Sequence, residues 1–315
     1  MNKIEYLIIS STIDFSTDLV CYQLLKKKQK FYRLNRDEFQ QHKIVVDVTK
    51  KVMTIQNDKE VFEADFETLR GIFFRAPVFL RTQPKAELTV NEQLERNQWS
   101  SFLRNLVVFK NAKWLNNPVS TYRAENKIYQ LCIAEECGLK IPQTYVSNVT
   151  DCVKNLEQKY VVKSLDTALF YDFKSHKEMF TYSNVITGRE LVEYDLAAAP
   201  VFIQEFLNPK VDCRVTYVCG RLFPVKILQK GKGMYGDWRQ RKEELEYITF
   251  QLPKKIENSI CEMMQKLELN FGGIDLAVVN EEYYFIEVNP TGEWGWLEIK
   301  TSMPISETIE KSLES

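Results

Sequence analysis

The chain has 315 residues, 44% of them hydrophobic, which is enough for two or three domains with their own cores. Its 42 Lys and Arg nearly balance its 43 Asp and Glu, so its charge gives no reason to expect binding to nucleic acid or to a membrane surface. No apolar run could span a bilayer, and the first residues lack the features of a secretory signal. Seven scattered Cys without a CxxC pair, and only two His, argue against zinc and favour a reduced, cytoplasmic protein.

The first third of the chain predicts a small α/β domain. Apolar runs predict strands over 6–10 and 69–74, with a helix from Asp14 to Leu25 after the first of them. The segments 44–48 and 52–55 alternate as the two strands of a hairpin would. A long helix is then expected over 91–108.

Two prolines suggest where the chain divides. Pro118 follows the first long helix, and Pro200 precedes an apolar strand, so we expect domains over 1–118, 119–200 and 201–315. Between them, a helix over 120–137 would bury Ile128, Leu131 and Cys132.

The remaining elements follow from apolar periodicity and turn residues. A helical pattern over 188–199 precedes Pro200, and the pairing of 214–218 with 222–228 is expected around Cys219-Gly220. Further strands and helices are predicted at 160–162, 201–206, 247–252, 256–267 and 304–313.

The most informative stretch is the hairpin predicted from 274 to 288. If its turn has three residues, Asp275 pairs directly opposite Glu287, and Asn289 shares a face with Glu287. Two facing carboxylates repel each other, whereas a divalent cation such as Mg²⁺, bound together with substrate phosphates, would neutralise them. The alternative is an edge hairpin whose acids are solvated.

Several other residues could belong to such a site. Lys163 ends an apolar strand and, with Lys127, Arg214 and Lys226, could form a triphosphate cradle. The strand end from Gln204 to Leu207 could meet an adenine edge or be an ordinary buried strand.

Gly231, Gly233 and Gly236 spell GxGxxG, but outside the βαβ setting of a dinucleotide site. They suit a mobile glycine-rich loop beside a nucleotide, or a plain surface loop.

The order of these residues resembles that of the ATP-grasp superfamily. It runs Lys127, Lys163, Gln204-Glu205-Phe206, Asp212-x-Arg214, Asp275, Glu287-x-Asn289. Three further segments resemble the graspetide ligases, of microviridin and thuringinin types, which macrocyclise ribosomal peptides: Phe73-Phe74-Arg75-Ala76-Pro77, Asp237-Trp238-Arg239 and Asn289-Pro290-Thr291-Gly292-Glu293-Trp294.

The resemblance implies an α/β (α+β) ATP-grasp fold, with the nucleotide between two α+β subdomains and an N-terminal pre-ATP-grasp α/β domain. By this resemblance, the ATP phosphates would be bound by Lys127 and Lys163, and adenine would be framed by Glu205 and Leu207. The ligands of two Mg²⁺ would be Asp275, Glu287 and Asn289. The arginines at the acceptor site would be Arg75, Arg214 and Arg239. The nucleotide site would also include Gln204, Asp212 and Lys226. Arg75 could instead form a structural ion pair. The loop over 164–168 lacks the glycines that cover ATP phosphates elsewhere in the superfamily.

The activity implied is ATP-dependent phosphorylation of a peptide Asp or Glu, followed by attack of a Thr or Ser hydroxyl, or a Lys amine. The expected partner is a precursor peptide with a leader and a Thr/Glu-rich core; a homodimer is left open. Glu190, Glu193 and Tyr194 could dock the leader, or form a solvated helix face. The rival functions are an amino-acid or tail-glutamate ligase of the same superfamily, and a nucleotide- or peptide-binding module without turnover.

Overall fold

The computed structural model describes residues 2–75, 88–165, 169–172, 174–180, 183–236, 238 and 245–314. Its strands are β1 (Asn2–Lys3), β2 (Tyr6–Ser10), β3 (Phe31–Asn35), β4 (Lys43–Asp47), β5 (Val52–Gln56), β6 (Val61–Asp65), β7 (Gly71–Phe74), β8 (Lys113–Leu115), β9 (Thr144–Ser147), β10 (Lys159–Lys163), β11 (Leu169–Asp172), β12 (Lys177–Phe180), β13 (Asn184–Thr187), β14 (Val201–Glu205), β15 (Val211–Val218), β16 (Arg221–Gln229), β17 (Leu245–Thr249), β18 (Phe271–Val279) and β19 (Glu282–Asn289). Its α-helices are α1 (Phe15–Lys26), α2 (Val90–Asn105), α3 (Pro118–Ala124), α4 (Lys127–Glu136), α5 (Gly188–Leu191), α6 (Lys254–Lys266), α7 (Gly295–Thr301) and α8 (Ile305–Glu314). No helix among these residues is long and apolar enough to cross a bilayer.

The N-terminal part confirms the predicted α/β unit. A parallel sheet in the order β3-β2-β7-β8 lies beside a second sheet in the order β1-β6-β5-β4. Asp14 begins α1 as its N-cap, because its carboxylate accepts a hydrogen bond from the Thr17 amide at 3.1 Å. The hairpin of β4 and β5 is also confirmed, while β1, β6 and β8 were not predicted.

The helix predicted over 120–137 is two helices, α3 and α4, separated at Glu125 and Asn126. Because α4 starts afresh after this break, its buried face differs from the predicted one. Leu131 is buried as expected, but Ile128 is 52% exposed and Cys132 is exposed.

The helix predicted over 188–199 is also wrong in extent, since α5 ends at Leu191. Thr187 and Glu190 form a capping box that fixes its start, but no longer run follows.

An antiparallel sheet in the order β17-β16-β15-β18-β19 forms the C-terminal part, and a second one, in the order β13-β10-β14-β9, forms the central part. The helix α8 leaves the C-terminal part and packs against α1, with Ile305, Ile309 and Leu313 fully buried. Residues of the first and last thirds of the chain therefore share one core. The division at residues 118 and 200 stays a prediction.

Candidate active site on the C-terminal sheet

The acid pair lies where the sequence predicted it, for a different reason. Asp275 pairs with Glu287, but the turn has two residues, Asn280 and Glu281, both with positive φ. A β-bulge between Asp275 and Leu276 leaves Ile286 without a direct partner and restores the predicted register. The acids therefore face each other because of a bulge, not because of a three-residue turn.

Each acid also has a basic neighbour, so a metal is not needed to make the pair tolerable. Arg214 lies opposite Asp275 on β15, and its Nη1 donates to the Asp275 carboxylate at 2.9 Å. The Lys127 ammonium is 4.0 Å from the Glu287 carboxylate. The predicted need for a metal to offset their repulsion is therefore wrong, because the neighbouring strand and helix supply positive charge.

Two glycines make the space that Arg214 occupies. A Cβ on Gly273 would lie 2.2 Å from Arg214 Nη2, and a Cβ on Gly292 would lie 2.5 Å from the same atom. The guanidinium is buried, and its Nε has no hydrogen-bond partner among the described residues. Arg214 is thus held rigidly against Asp275 while keeping one unused donor.

Arg75 is engaged by protein groups on all sides. Its guanidinium donates to the carboxylates of Asp14 at 2.9 Å and Glu293 at 2.7 Å, and to the carbonyls of Thr291 and Gly292 at 3.0 Å each. Of the two roles considered for Arg75, the contacts favour the structural ion pair, which ties the 291–293 loop to the N-terminal sheet.

The Asp14 carboxyl is the buried partner in this network. Burial raises its pKa, but the Arg75 guanidinium and the hydrogen bonds from Thr17 and Ser10 more than offset that effect, so the pKa lies below its usual value. Asp14 therefore stays ionised at neutral pH, as the neighbouring arginine requires.

The start of α4 brings Lys127 to the hairpin. One turn on, Gln130 pairs with the backbone of Val288: its Nε2 donates to the carbonyl at 2.8 Å, and its Oε1 accepts from the amide at 2.9 Å. The Gln130 side-chain amide thereby pairs with backbone groups at the open edge of β19, and this pairing fixes α4 and Lys127 beside Glu287. Lys127 also adds charge to the positive end of a helix, a favourable place for phosphate.

The third expected metal ligand, Asn289, lies two residues beyond Glu287 and is exposed. Its Oδ1 accepts from the Thr291 amide at 3.0 Å and from the Thr291 hydroxyl at 3.3 Å, so a metal ion would have to displace the longer of these two contacts. Among the described residues, no three Asp, Glu, His or Cys side chains cluster closely enough to hold a metal by themselves. Two carboxylates and one amide oxygen nevertheless fit Mg²⁺, which usually completes its shell with phosphates and water.

The expected adenine-framing residues lie at the end of β14. Gln204 is buried and donates to the Thr144 hydroxyl at 2.8 Å, so its side chain serves the sheet. Glu205 ends the strand, and Leu207 follows it, beyond the β14 ladder. Lys163 ends the neighbouring strand β10, with its ammonium 5.1 Å from the centre of the Phe202 ring.

The glycine-rich loop is anchored at its centre. A Cβ on Gly233 would lie 1.8 Å from the Lys210 carbonyl oxygen, and Met234 is buried. The Tyr235 ring packs edge-on against Phe206, just after the Glu205 strand end, with 4.9 Å between centroids. This contact beside the expected adenine position favours the interpretation as a loop next to the nucleotide.

Two of the residues expected to bind the nucleotide, Asp212 and Lys226, lie on opposite faces of the C-terminal sheet. Asp212 lies on the Arg214 face and pairs with the Lys210 ammonium. Lys226 lies opposite Cys213 on the other face, with its ammonium 4.9 Å from the Phe250 ring centre. The sheet therefore does not bring Lys226 to the carboxylates. Burial raises the pKa of the Cys213 thiol to about 12, as expected for an inert cysteine.

The three residues expected to dock the leader differ in whether their side chains are already hydrogen-bonded within the protein. Glu190 accepts from the amide of Thr187, and Glu193 and Tyr194 are exposed. Arg239 lies outside the described residues, as do Ala76, Pro77, Asp237 and 166–168.

Sequence reasoning missed three residues that hold the site together: Asp14, Gln130 and Asn116. The buried Asn116 amide donates to the carbonyls of Phe271 and Pro290 and accepts from the amides of Asn270 and Phe271, at 2.8–3.0 Å. A helix N-cap, a mid-helix Gln and an Asn two residues before a Pro look local in sequence, and only the tertiary fold shows their long-range partners.

No protein-family model and no curated protein sequence matches the chain. Solved structures do. A RiPP-associated ATP-grasp ligase from Chryseobacterium gregarium, bound to ADP and a leader and core peptide, aligns over 99% of this chain and 96% of its own, with TM-score 0.84 and 27% identity. Macrocyclases MdnB and MdnC from Microcystis aeruginosa MRC each align over 98% of both chains, with TM-scores of 0.75 and 0.82 and identities of 25% and 24%.

The fold and the acid pair on its C-terminal sheet define the chain as an ATP-grasp ligase. The agreement spans nearly the whole chain, including the part before the central sheet. Within the superfamily, the solved structures that this chain resembles are a RiPP-associated ligase and macrocyclases, which supports a graspetide macrocyclase family.

Proposed function

We propose that this ATP-dependent ligase macrocyclises a ribosomally made precursor peptide, joining Asp or Glu side chains to Thr or Ser as esters, or to Lys as amides. The observation that carries the proposal is the Asp275–Glu287 pair, with a buried arginine on one acid and a lysine near the other. This arrangement offers oxygen ligands for Mg²⁺ and positive charge for phosphate and carboxylate at one place.

The chemistry needs two steps. A peptide carboxylate oxygen attacks the γ-phosphorus of ATP, and ADP leaves, which converts a poor acyl donor into an acyl phosphate. A hydroxyl or amine of the same peptide then attacks the acyl carbon, loses its proton, and phosphate leaves. Phosphoryl transfer depends mainly on positioning and charge neutralisation, which suits a site of lysines, arginines and carboxylates without histidine.

Asp275, Glu287 and Asn289 are proposed to hold two Mg²⁺ ions, which would screen the phosphate charge and align the transferred group. Lys127 would bind the phosphates from the start of α4, and Lys163 from the end of β10. Glu205 and Leu207 would frame adenine through backbone groups.

The arginines separate into two proposed roles. Arg75 already has four acceptors in the protein and holds the loop that follows Asn289. Arg214 keeps an unused Nε donor beside Asp275, so it is the better candidate to face the reacting carboxylate. Arg239 is proposed as its partner from sequence.

The proposed substrate is a precursor peptide with a leader and a Thr/Glu-rich core, modified in the cytoplasm where it is made. The C. gregarium ligase was solved with a leader and core peptide, and MdnC with its precursor MdnA. Glu193 and Tyr194, exposed after α5, are proposed to contact the leader, with Glu190 shaping the helix start.

The test is incubation of the protein with ATP, Mg²⁺ and the short peptide encoded beside its gene, followed by mass spectrometry. Loss of one water per linkage, with one ADP formed for each, supports macrocyclisation. Mass gain by an added residue would indicate an amino-acid ligase, and binding without ADP formation a non-catalytic module.

The matched pair of variants is Glu287→Gln and Glu282→Gln, both on β19. Glu287 lies in the acid pair, whereas Glu282 is exposed at the far end of the strand and pairs with Lys140. The first substitution should abolish ADP formation and the second should leave it unchanged. Equal activity of both variants would refute the metal assignment.

A further inference from the structure

A cavity of about 280 Å³ lies in the N-terminal part, between the start of α2 and a 3₁₀-helix over Arg36–Gln41 that directly follows β3. The residues expected to bind nucleotide, metal or leader all lie elsewhere in the sequence. Pockets for drug-sized ligands have about 300–1,000 Å³, so this cavity suits a single amino-acid side chain. The lining residues that matter here are Arg36, Asp37, Phe39, Glu92, Glu95 and Trp99.

The cavity has an aromatic wall. Phe39 is buried and Trp99 is half-buried, with 4.6 Å between their ring centroids. Methylene groups that lie against this wall leave water, which is favourable. The wall therefore suits the apolar stem of a side chain.

The acids that line the cavity are already engaged by the protein. The Asp37 carboxylate accepts from the Thr12 amide at 3.1 and 3.0 Å. Glu92 closes the capping box at the start of α2, and Glu95 accepts from the side-chain amide of Gln40. These carboxylates thus have partners before any ligand enters.

Arg36 differs from these acids, because it makes no hydrogen bond or ion pair with any residue in the described part of the chain. Burial lowers the pKa of its guanidinium, since the charges of Asp37 and Asp14 offset only part of the desolvation. The guanidinium nevertheless stays charged and offers five N–H donors in a planar fork. Arg96 adds a second positive charge to the lining. A carboxylate that enters the cavity would therefore meet a half-buried cation in need of a partner.

The cavity lies near the ligase site along the parallel sheet. β2 and β3 are adjacent parallel strands whose carboxyl ends meet at one edge, where open α/β sheets usually bind ligands. Thr12, just beyond β2, donates to Asp37 of the cavity. Asp14, two residues later, pairs with Arg75, which holds the 291–293 loop beside the proposed Mg²⁺ site. A substrate chain at the acid pair thus has this cavity along the same edge.

We propose that the cavity is an accessory docking site for an acidic side chain of the precursor peptide. The carboxylate pairs with Arg36, in a geometry that can be bidentate, and the methylene groups lie against Trp99. The inference rests on the proposed function, because it takes the precursor peptide as the ligand. The docked acid lies apart from the nucleotide residues, so it holds the peptide in place and does not react.

Kinetics with the full chain test this role. Losing a contact outside the reacting centre should raise KM and leave kcat unchanged. For Arg36→Gln we expect the KM of the precursor peptide, measured by ADP release, to rise about tenfold, as for one lost hydrogen bond between charged groups. Arg36→Lys keeps the charge without the planar fork and should recover part of this loss. The matched control is Arg104→Gln, an exposed arginine on α2 outside the cavity, which should keep the wild-type KM.

Substitutions in the peptide identify the docked acid. Each Asp or Glu of the precursor is replaced in turn by its amide, and KM is measured with the wild type and with Arg36→Gln. One substitution, at an acid that forms no linkage, should raise KM about tenfold with the wild type. It should have no further effect with the variant, because both changes remove the same contact.

Chemical modification gives a readout that needs neither turnover nor a variant enzyme. Phenylglyoxal reacts with accessible guanidinium groups, and mass spectrometry of the digested protein reports the adduct at Arg36. The precursor peptide should protect Arg36 in the absence of ATP, and the peptide with its docking acid amidated should not. Protection by free glutarate but not by the peptide would assign the cavity to a small free carboxylate and overturn the proposal.

The outcomes separate this inference from the proposed function. A wild type that macrocyclises the peptide, while Arg36→Gln keeps the same KM and Arg36 stays unprotected, overturns the docking site alone. A wild type that neither binds nor modifies the peptide overturns the proposed function, and the docking site with it.

Discussion

Gly273→Ala should disable the site by displacing Arg214. An alanine Cβ would stand 2.2 Å from Arg214 Nη2 and 2.5 Å from Cζ. Non-bonded heavy atoms prefer separations of about 3.5 Å, so the guanidinium must retreat by about 1 Å. It cannot do so freely, because Arg214 is buried and Gly292 backs the same Nη2 atom.

The retreat would stretch the 2.9 Å hydrogen bond between Arg214 and Asp275 beyond useful length. Losing a hydrogen bond to a charged group costs about 2 kcal/mol, and overpacking a filled site costs about 1–3 kcal/mol. We therefore expect the unfolding free energy to fall by about 3–5 kcal/mol in urea titrations. Turnover of ATP with the precursor peptide should fall about 100-fold, as is typical when a positioned group moves by about 1 Å.

The control is Gly272→Ala, one residue away on the other face of β18. Its Cβ would come closest to the ends of the Met264 and Val288 side chains, at 3.0 Å each, so the cost should be smaller. A double-mutant cycle isolates the cause: adding Gly273→Ala to Arg214→Ala should cost little further, because the clash is gone. Full activity of Gly273→Ala, or additive losses in the cycle, would refute the reasoning.

Two further changes test the supports of the site. Gln130→Ala would leave the buried amide and carbonyl of Val288 unpaired, which should lower the unfolding free energy by about 2–5 kcal/mol in urea, whereas the exposed Gln143→Ala should change it little. Asp14→Asn should cost about 3 kcal/mol at neutral pH, because it removes an anionic partner of the buried Arg75. Since the pKa of Asp14 is depressed in the folded state, its contribution is present above the ordinary value of about 4 and is lost as the pH falls through the depressed value. Unfolding measured over a pH series should therefore show the wild type and the Asn variant converging below about pH 4, and a constant gap would contradict the assignment.

The sequence predicted the parts of this molecule that local patterns determine. The C-terminal hairpin, the β4–β5 hairpin and the Asp14 start of α1 each rest on alternation, turn residues or a capping side chain. The facing of Asp275 and Glu287 was right, although a bulge that no local pattern revealed is responsible.

Predictions failed where residues that are distant in sequence determine the local structure. The pairing of Arg214 with Asp275 depends on strand order, which is set by tertiary packing, so the hairpin considered alone predicted either a metal or solvent, and no arginine, beside its acids. Gln130 looked like a polar residue on a helix face, yet it is buried because the edge of β19 needs its amide. Ile128 is exposed for a related reason: the break between α3 and α4, just before Lys127, changes which face of α4 is buried.

The packing of α8 on α1 bears on how the protein can be dissected. Ile305, Ile309 and Leu313 are fully buried against a core that includes Tyr6, Val20 and Leu24. A fragment cut at Pro118 would lack this cover and present a broad apolar face to water, which favours aggregation. Expression of the first part alone should thus yield inclusion bodies, and co-expression with the remainder of the chain should rescue it.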